Sequence, residues 1–151
     1  MKTYDELRHE SAGRNSTLIV DMDGTLALKG ERKPFDWGTV GEDLPNFPVT
    51  FVISRLQLHS TILIVSGRDE ECALQTSMWL HSRDIFPHEI FMRKHKDNRP
   101  DEVVKKEIFL EKIRPHYRNI VGVFDDRQKV VTMWRELDLF VFDVSNGNGN
   151  F

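Results

Sequence analysis

Short apolar runs alternate with amphipathic stretches along most of the chain. Thr17–Val20, Thr61–Val65, Glu89–Met92, Ile120–Phe124 and Leu139–Val144 read as strands. Several are apolar throughout, the pattern of strands covered on both faces. Pro48–Leu58, Glu70–His81, Asp101–Ile113 and Arg127–Glu136 read as helices. This alternation predicts an α/β fold with a central parallel sheet and right-handed crossovers. Residues 24–43 form a loop-rich stretch containing Gly30, Pro34, Gly38 and Gly41. A polar segment at 1–15 and a flexible tail at 146–151 are expected to flank a domain over residues 16–145.

Composition narrows the picture. A chain of 151 residues suits one domain with a full core. The net charge of −3 gives no global attraction to nucleic acid or anionic membranes, so any such affinity must be local. Cys72 is the only cysteine, which rules out an intramolecular disulfide and disfavours a Cys-rich zinc site. No apolar run reaches membrane-spanning length, and the start MKTYDELRHE is too polar for a secretory signal. A cytoplasmic protein with no membrane partner is expected.

The chemistry gathers at the strand ends, where open parallel sheets place their ligands. The first strand runs into Asp21-Met22-Asp23-Gly24-Thr25, and the second into Ser66-Gly67-Arg68. The helix that opens at Asp101 carries Lys105, and the fourth strand ends in Asp125-Asp126. Clustered carboxylates repel and are costly to bury unless a cation neutralises them. An ordered set of acid pair, hydroxyl, lysine and acid pair fits phosphoryl transfer. Asp21 would attack phosphorus to give an aspartyl-phosphate. Asp23 would protonate the leaving oxygen and then activate water. Ser66 and Lys105 would hold the non-bridging oxygens. Mg²⁺, a hard ion that takes oxygen ligands, would be bound by Asp21, the Asp23 backbone carbonyl and Asp125, with Asp126 supporting a metal water.

These motifs resemble the four motifs of the haloacid dehalogenase (HAD) superfamily of phosphatases. More narrowly, DMDGTLALKGERKPFD, SGRDEE, RPDEVVKKEIF and FDDRQKVVTMWRELDL resemble the 3′-phosphatase domains of the bifunctional polynucleotide kinases of T-even phages, over roughly residues 16–145. The resemblance implies a three-layer Rossmann-like fold. It also implies that Thr25, Arg32, Arg68 and Asp101 act on the substrate. The implied function is Mg²⁺-dependent removal of 3′-phosphates from DNA or RNA ends, in end healing before ligation. A HAD phosphatase for free nucleotides or other small phosphomonoesters is the alternative. A receiver domain uses similar groups in a different chain order, and a binding protein without chemistry would not need every catalytic side chain. No GxxxxGK[ST] motif occurs, so a kinase or ligase would act as a separate partner.

The gaps between motifs are filled by the expected elements, which implies a capless or minimally capped site, open to the end of a large substrate. Arg93, Lys94, His95, Lys96 and Arg99 form a basic cluster after the third strand, to be read as either a backbone track or a solvated loop. Phe35 and Trp37 are weighed between loop packing and stacking on a base, with packing favoured. Trp79 and Trp134 are read as core residues. His81, His88 and His116 show no metal-ligand spacing.

Overall fold

The structure, a computed structural model, describes residues 16–33 and 35–146. The segment 1–15, residues 147–151 of the expected tail, and Pro34 lie outside the described residues. The chain runs through β1 (Thr17–Val20), β2 (Ala27–Leu28), β3 (Leu44–Pro45) and α1 (Phe47–Leu56). It continues through β4 (Thr61–Asp69), α2 (Ala73–Ser82), β5 (Glu89–Arg93) and α3 (Asp101–Ile108). It closes with β6 (Ile120–Asp125), α4 (Gln128–Glu136) and β7 (Val141–Asp143). Five strands form one sheet in the order β5-β4-β1-β6-β7, and every pairing in it is parallel.

The pleat sorts the apolar strands into two cores. Leu18 and Val20 of β1 and Ile62 and Ile64 of β4 pack with Val49, Ile53, Trp79 and Leu80 of α1 and α2. Ile19, Leu63 and Val65 face the other way, onto Val104, Ile108, Val130 and Trp134 of α3 and α4. The sheet therefore has a helix layer on each side, as its continuous apolar strands required. None of the described helices is long and apolar enough to cross a membrane.

Most boundaries move by a residue or a few, and four features differ in kind or in reach. β4 runs past Val65 through Ser66, Gly67 and Arg68 to Asp69, with a register irregularity between Ser66 and Asp69. The helix over 101–113 keeps α geometry only to Ile108. Its last turn, Phe109–Ile113, widens to π, closed by an Arg114 N–H to Phe109 carbonyl bond of 2.8 Å, and both Phe109 and Ile113 are buried. β7 starts at Val141, two residues late, because Leu139 still bonds back to the Trp134 carbonyl at the end of α4. Within the loop-rich stretch, β2 and β3 pair as a two-residue antiparallel ribbon, and a 3₁₀ turn over Trp37–Glu42 lies between them in the chain. Among the described residues, these short pieces are all that stands between β1 and α1, so no cap domain covers the carboxyl end of the sheet there.

Candidate active site

Four elements bring their polar ends together. Asp21 follows β1 and is buried; Asp125 closes β6 and Asp126 follows it. α3 points Lys105, one turn after Asp101, to the carboxyl ends of β1 and β6, where its Nζ donates to Asp21 Oδ1 at 2.7 Å and Asp125 Oδ2 at 3.0 Å. The Thr25 hydroxyl lies 3.0 Å from Asp21 Oδ2 and 3.1 Å from Asp126 Oδ1. A hydroxyl has one proton, so it serves one of these acids at a time. Gly24 makes the turn possible. Its φ is +86°, and a Cβ there would lie 2.1 Å from Asp126 Oδ2. Ser66 is fully buried on the neighbouring strand, two residues beyond Ile64, the partner of Val20. Its Oγ accepts the Arg68 backbone N–H at 3.1 Å.

Charge is unbalanced here. Asp21, Asp125 and Asp126 offer oxygens that all lie within 4.8 Å of one another. Burial pushes the Asp21 carboxyl well above its ordinary value; Lys105 pulls it back, while Asp125 and Asp126 push it further up. Burial and the Asp125 charge likewise raise Asp126. Burial also opposes the Lys105 charge, yet Asp125 and Asp21 outweigh it and hold the ammonium above its ordinary value. One lysine thus faces three carboxylates. An oxygen-only donor set with surplus negative charge fits a hard divalent cation. Trp134, read from the sequence as core, is buried but also donates its Nε1–H to Asp125 Oδ2 at 3.2 Å.

The Asp23 carboxylate stands apart from this trio. Arg68 binds it through Nε at 3.0 Å and Nη2 at 2.8 Å, and Arg32 Nη2 reaches it at 3.1 Å. Both guanidiniums also bind Asp43, Arg32 at 2.6 and 2.9 Å and Arg68 at 2.7 Å. Thr76 Oγ1 takes a further Arg68 N–H at 3.1 Å. Asp43 is the buried side of this lattice and Asp23 the open one, with side chains 1% and 37% exposed. Sequence reasoning missed Asp43 and Thr76. The Trp79 indole, buried as expected, donates to the Asp43 carbonyl at 2.8 Å.

Asp101 sits elsewhere again. It accepts from Arg93 Nη2 at 2.9 Å and Arg127 Nη1 at 3.4 Å, while Arg68 is taken up by Asp23, Asp43 and Thr76. Asp101 lies so close to Gly67 that a Cβ there would meet its Oδ1 at 1.9 Å. Phe35 is 84% exposed, so the packing reading fails for it; Trp37 meets its ring edge-on, with the Arg32 guanidinium 5.8 Å from the indole centre. A second group, Asp69, Glu71 and His95, lies at the surface, where acids cluster commonly without a metal.

Comparison with known proteins gives the context. Residues 15–151 match the family described as the polynucleotide kinase PNKP phosphatase domain. A protein of Autographa californica nuclear polyhedrosis virus, named for polynucleotide kinase and RNA ligase activities, is 35% identical over 132 residues, 84% of this chain and 19% of its own length. A chain from the Pnkp1/Rnl/Hen1 RNA repair complex superposes with a TM-score of 0.85 at 35% identity, covering 92% of this chain and 44% of that one. D,D-heptose bisphosphate phosphatase from B. bronchiseptica, at 14% identity and a TM-score of 0.54 over 80% of this chain and 75% of that one, shares the fold. This chain therefore spans less than half of the repair-complex chain and about a fifth of the viral protein.

Proposed function

Because this chain belongs to the polynucleotide kinase PNKP phosphatase domain family, we propose that it is a Mg²⁺-dependent phosphomonoesterase that clears 3′-phosphates from DNA or RNA ends. The observation that carries the reading is the placement of Asp21. It lies at the strand end, gripped by Lys105 at 2.7 Å and facing the Thr25 hydroxyl at 3.0 Å, with Asp125 and Asp126 beside it. The viral relative's name adds kinase and RNA ligase activities, and the similar repair-complex chain comes from an RNA repair assembly, so we take a kinase or ligase as the partner that uses the cleared end.

Mg²⁺ held by Asp21, Asp125 and Asp126, with the Asp23 backbone carbonyl, would offset the charge of the phosphate and of the acids that meet it. The remaining chemistry belongs to the side chains. An Asp21 oxygen attacks phosphorus, and the bond to the 3′-oxygen breaks with its electron pair leaving on that oxygen. The Asp23 carboxyl, the open member of the arginine lattice, gives the leaving oxygen its proton. Water then attacks phosphorus, its proton passes to Asp23, and the Asp21–phosphorus linkage breaks to release inorganic phosphate. Lys105 and Ser66 hold non-bridging oxygens during both displacements. Arg32 and Arg68 keep Asp23 aimed, anchored from behind by Asp43. Asp101, at the start of the lysine helix, is tied to β4 through Arg93, which also bonds the Gly67 carbonyl.

Phosphate release with Mg²⁺ from a 3′-phosphorylated oligonucleotide, its 5′-phosphorylated counterpart and a nucleoside 3′-monophosphate tests this reading. Strong preference for the 3′-phosphorylated oligomer is expected. Equal turnover of the mononucleotide would move the function to small phosphomonoesters.

A further inference from the structure

The basic cluster after β5 is largely consumed within the protein. Arg93 donates to the carbonyls of Gly67, Asp97 and Arg99 and to Asp101. Arg99 pairs with Asp97 and Glu107. Of the long basic side chains there, Lys94 and Lys96 are left exposed without such a role. A different route leads away from the site along α1. Asn46 fixes the start of that helix to the motif loop, donating its side-chain N–H to the Thr25 carbonyl at 2.9 Å and its backbone N–H to the Leu26 carbonyl at 2.8 Å. Thr25 is the residue whose hydroxyl faces Asp21. The next residue, Phe47, opens the helix and is 70% exposed; Phe51, one turn on, is 50% exposed. Their ring centroids are 6.0 Å apart, and the Arg55 guanidinium sits 5.3 Å from the Phe51 centroid.

Positions four apart lie on one helix face, about 6 Å further along the axis at each step. Phe47, Phe51 and Arg55 thus form a line of two open aromatic faces and a cation that begins beside the nucleophile's loop. We propose that nucleotides upstream of the 3′-phosphate stack their bases on Phe47 and Phe51, with Arg55 facing the backbone phosphates. The inference rests on the reading of the site as a polynucleotide 3′-phosphatase. Aromatic faces accept any base, and an arginine beside them adds cation–π and phosphate contacts. A purely apolar protein segment laid on the same line would bury the Arg55 charge without an acid to meet it.

The test pairs kinetics with binding. kcat/KM is measured for a 3′-phosphorylated hexanucleotide and for a nucleoside 3′-monophosphate in wild type, Phe47→Ala, Phe51→Ala and Phe51→Trp. Fluorescence anisotropy of a labelled 3′-hydroxyl hexanucleotide is followed in the same proteins. Each alanine variant should lower the oligomer-to-mononucleotide ratio roughly tenfold and weaken the anisotropy binding in step, while the tryptophan variant keeps both. Unchanged ratio and binding in both alanine variants would overturn the track. So would unchanged oligonucleotide binding with loss of a dimer in sedimentation, which would assign the face to a second copy. If wild type releases phosphate from neither substrate, the reading of the chemistry fails. Anisotropy binding that still depends on Phe47 and Phe51 would in that case support the track on its own.

Discussion

Replacing Asp43 with Asn removes one charge, keeps the shape, and asks what holds the two arginines. Asp43 takes three guanidinium N–H groups at 2.6, 2.9 and 2.7 Å, and the side chains of Asp43, Arg32 and Arg68 are 1%, 7% and 0% exposed. At an effective dielectric of about 20 and about 4 Å between charge centres, each pair carries about 4 kcal/mol of Coulomb attraction. Not all of it is lost on substitution. The amide keeps an accepting oxygen, and Asp23 still receives both arginines. Removing one partner of a buried pair typically costs about 3–5 kcal/mol, and the retained contacts place Asp43→Asn near the lower end, at about 3 kcal/mol. Against a total stability of about 5–15 kcal/mol for a domain, that is a large fraction. Urea unfolding should show a midpoint lower by about 1–3 M with an unchanged slope. Activity should fall in parallel, because Asp23 loses the fixed frame that aims it. A stability loss under about 1 kcal/mol would refute the reasoning, since Asp23 alone would then suffice to balance Arg32 and Arg68.

Gly67→Ala should destabilise the domain by about 1–3 kcal/mol, because its Cβ would meet Asp101 Oδ1 at 1.9 Å and Asp101 is held by Arg93; an unchanged thermal midpoint would show that the contact yields freely. His95 should titrate above its ordinary value, raised first by its hydrogen bond to Asp69, opposed next by desolvation, and raised further by the Glu71, Asp69 and Glu70 charges. A value raised on folding stabilises the protein fully below the unfolded value of about 6.5, and that gain fades as pH rises through the folded value. NMR titration of the ring should show the shift, and Asp69→Asn should reduce it; identical curves in both proteins would dismiss the pair. Chelation should stop phosphate release, and added Mg²⁺ should restore it and raise the melting temperature, an increase that Asp125→Asn should lose; full turnover in the presence of chelator would remove the metal from the account.

Much of the fold is legible in the sequence, and the exceptions share a cause. The five sheet strands stand out because each is built on a short apolar run, which in β1, β4, β5 and β6 the pleat divides between two helix layers. The β2–β3 ribbon does not, since two-residue strands carry no periodicity. β4 outruns its apolar stretch because Asp69 rejoins the ladder opposite Arg93 after the Ser66–Gly67–Arg68 irregularity, which no local pattern signals. In the site, the DxDGT loop, Ser66, Lys105 and the Asp125–Asp126 pair are visible as polar residues that end apolar runs or sit one turn into a helix. Asp43 is not, being a single acid in an irregular loop, buried only because arginines 11 and 25 residues away converge on it. Trp134 is similar: its helical spacing announces a core residue, but the indole N–H that reaches Asp125 depends on how α4 lies on β6. Composition leaves the basic cluster open between a backbone track and a solvated loop; which of its cations are spoken for depends on the turn that joins β5 to α3, where Arg93 and Arg99 are committed to Asp101, Asp97 and Glu107.

All of this chemistry starts from Asp21 taking the phosphoryl group from a 3′ end. An acid-quenched single turnover with an oligonucleotide radiolabelled in its 3′-phosphate, followed by peptide mapping, tests that step. Protein-bound label should appear on the peptide holding Asp21, accumulate when Asp23→Asn slows hydrolysis, and be absent in Asp21→Asn. Release of label with none ever bound to protein, or label on another residue, would contradict it.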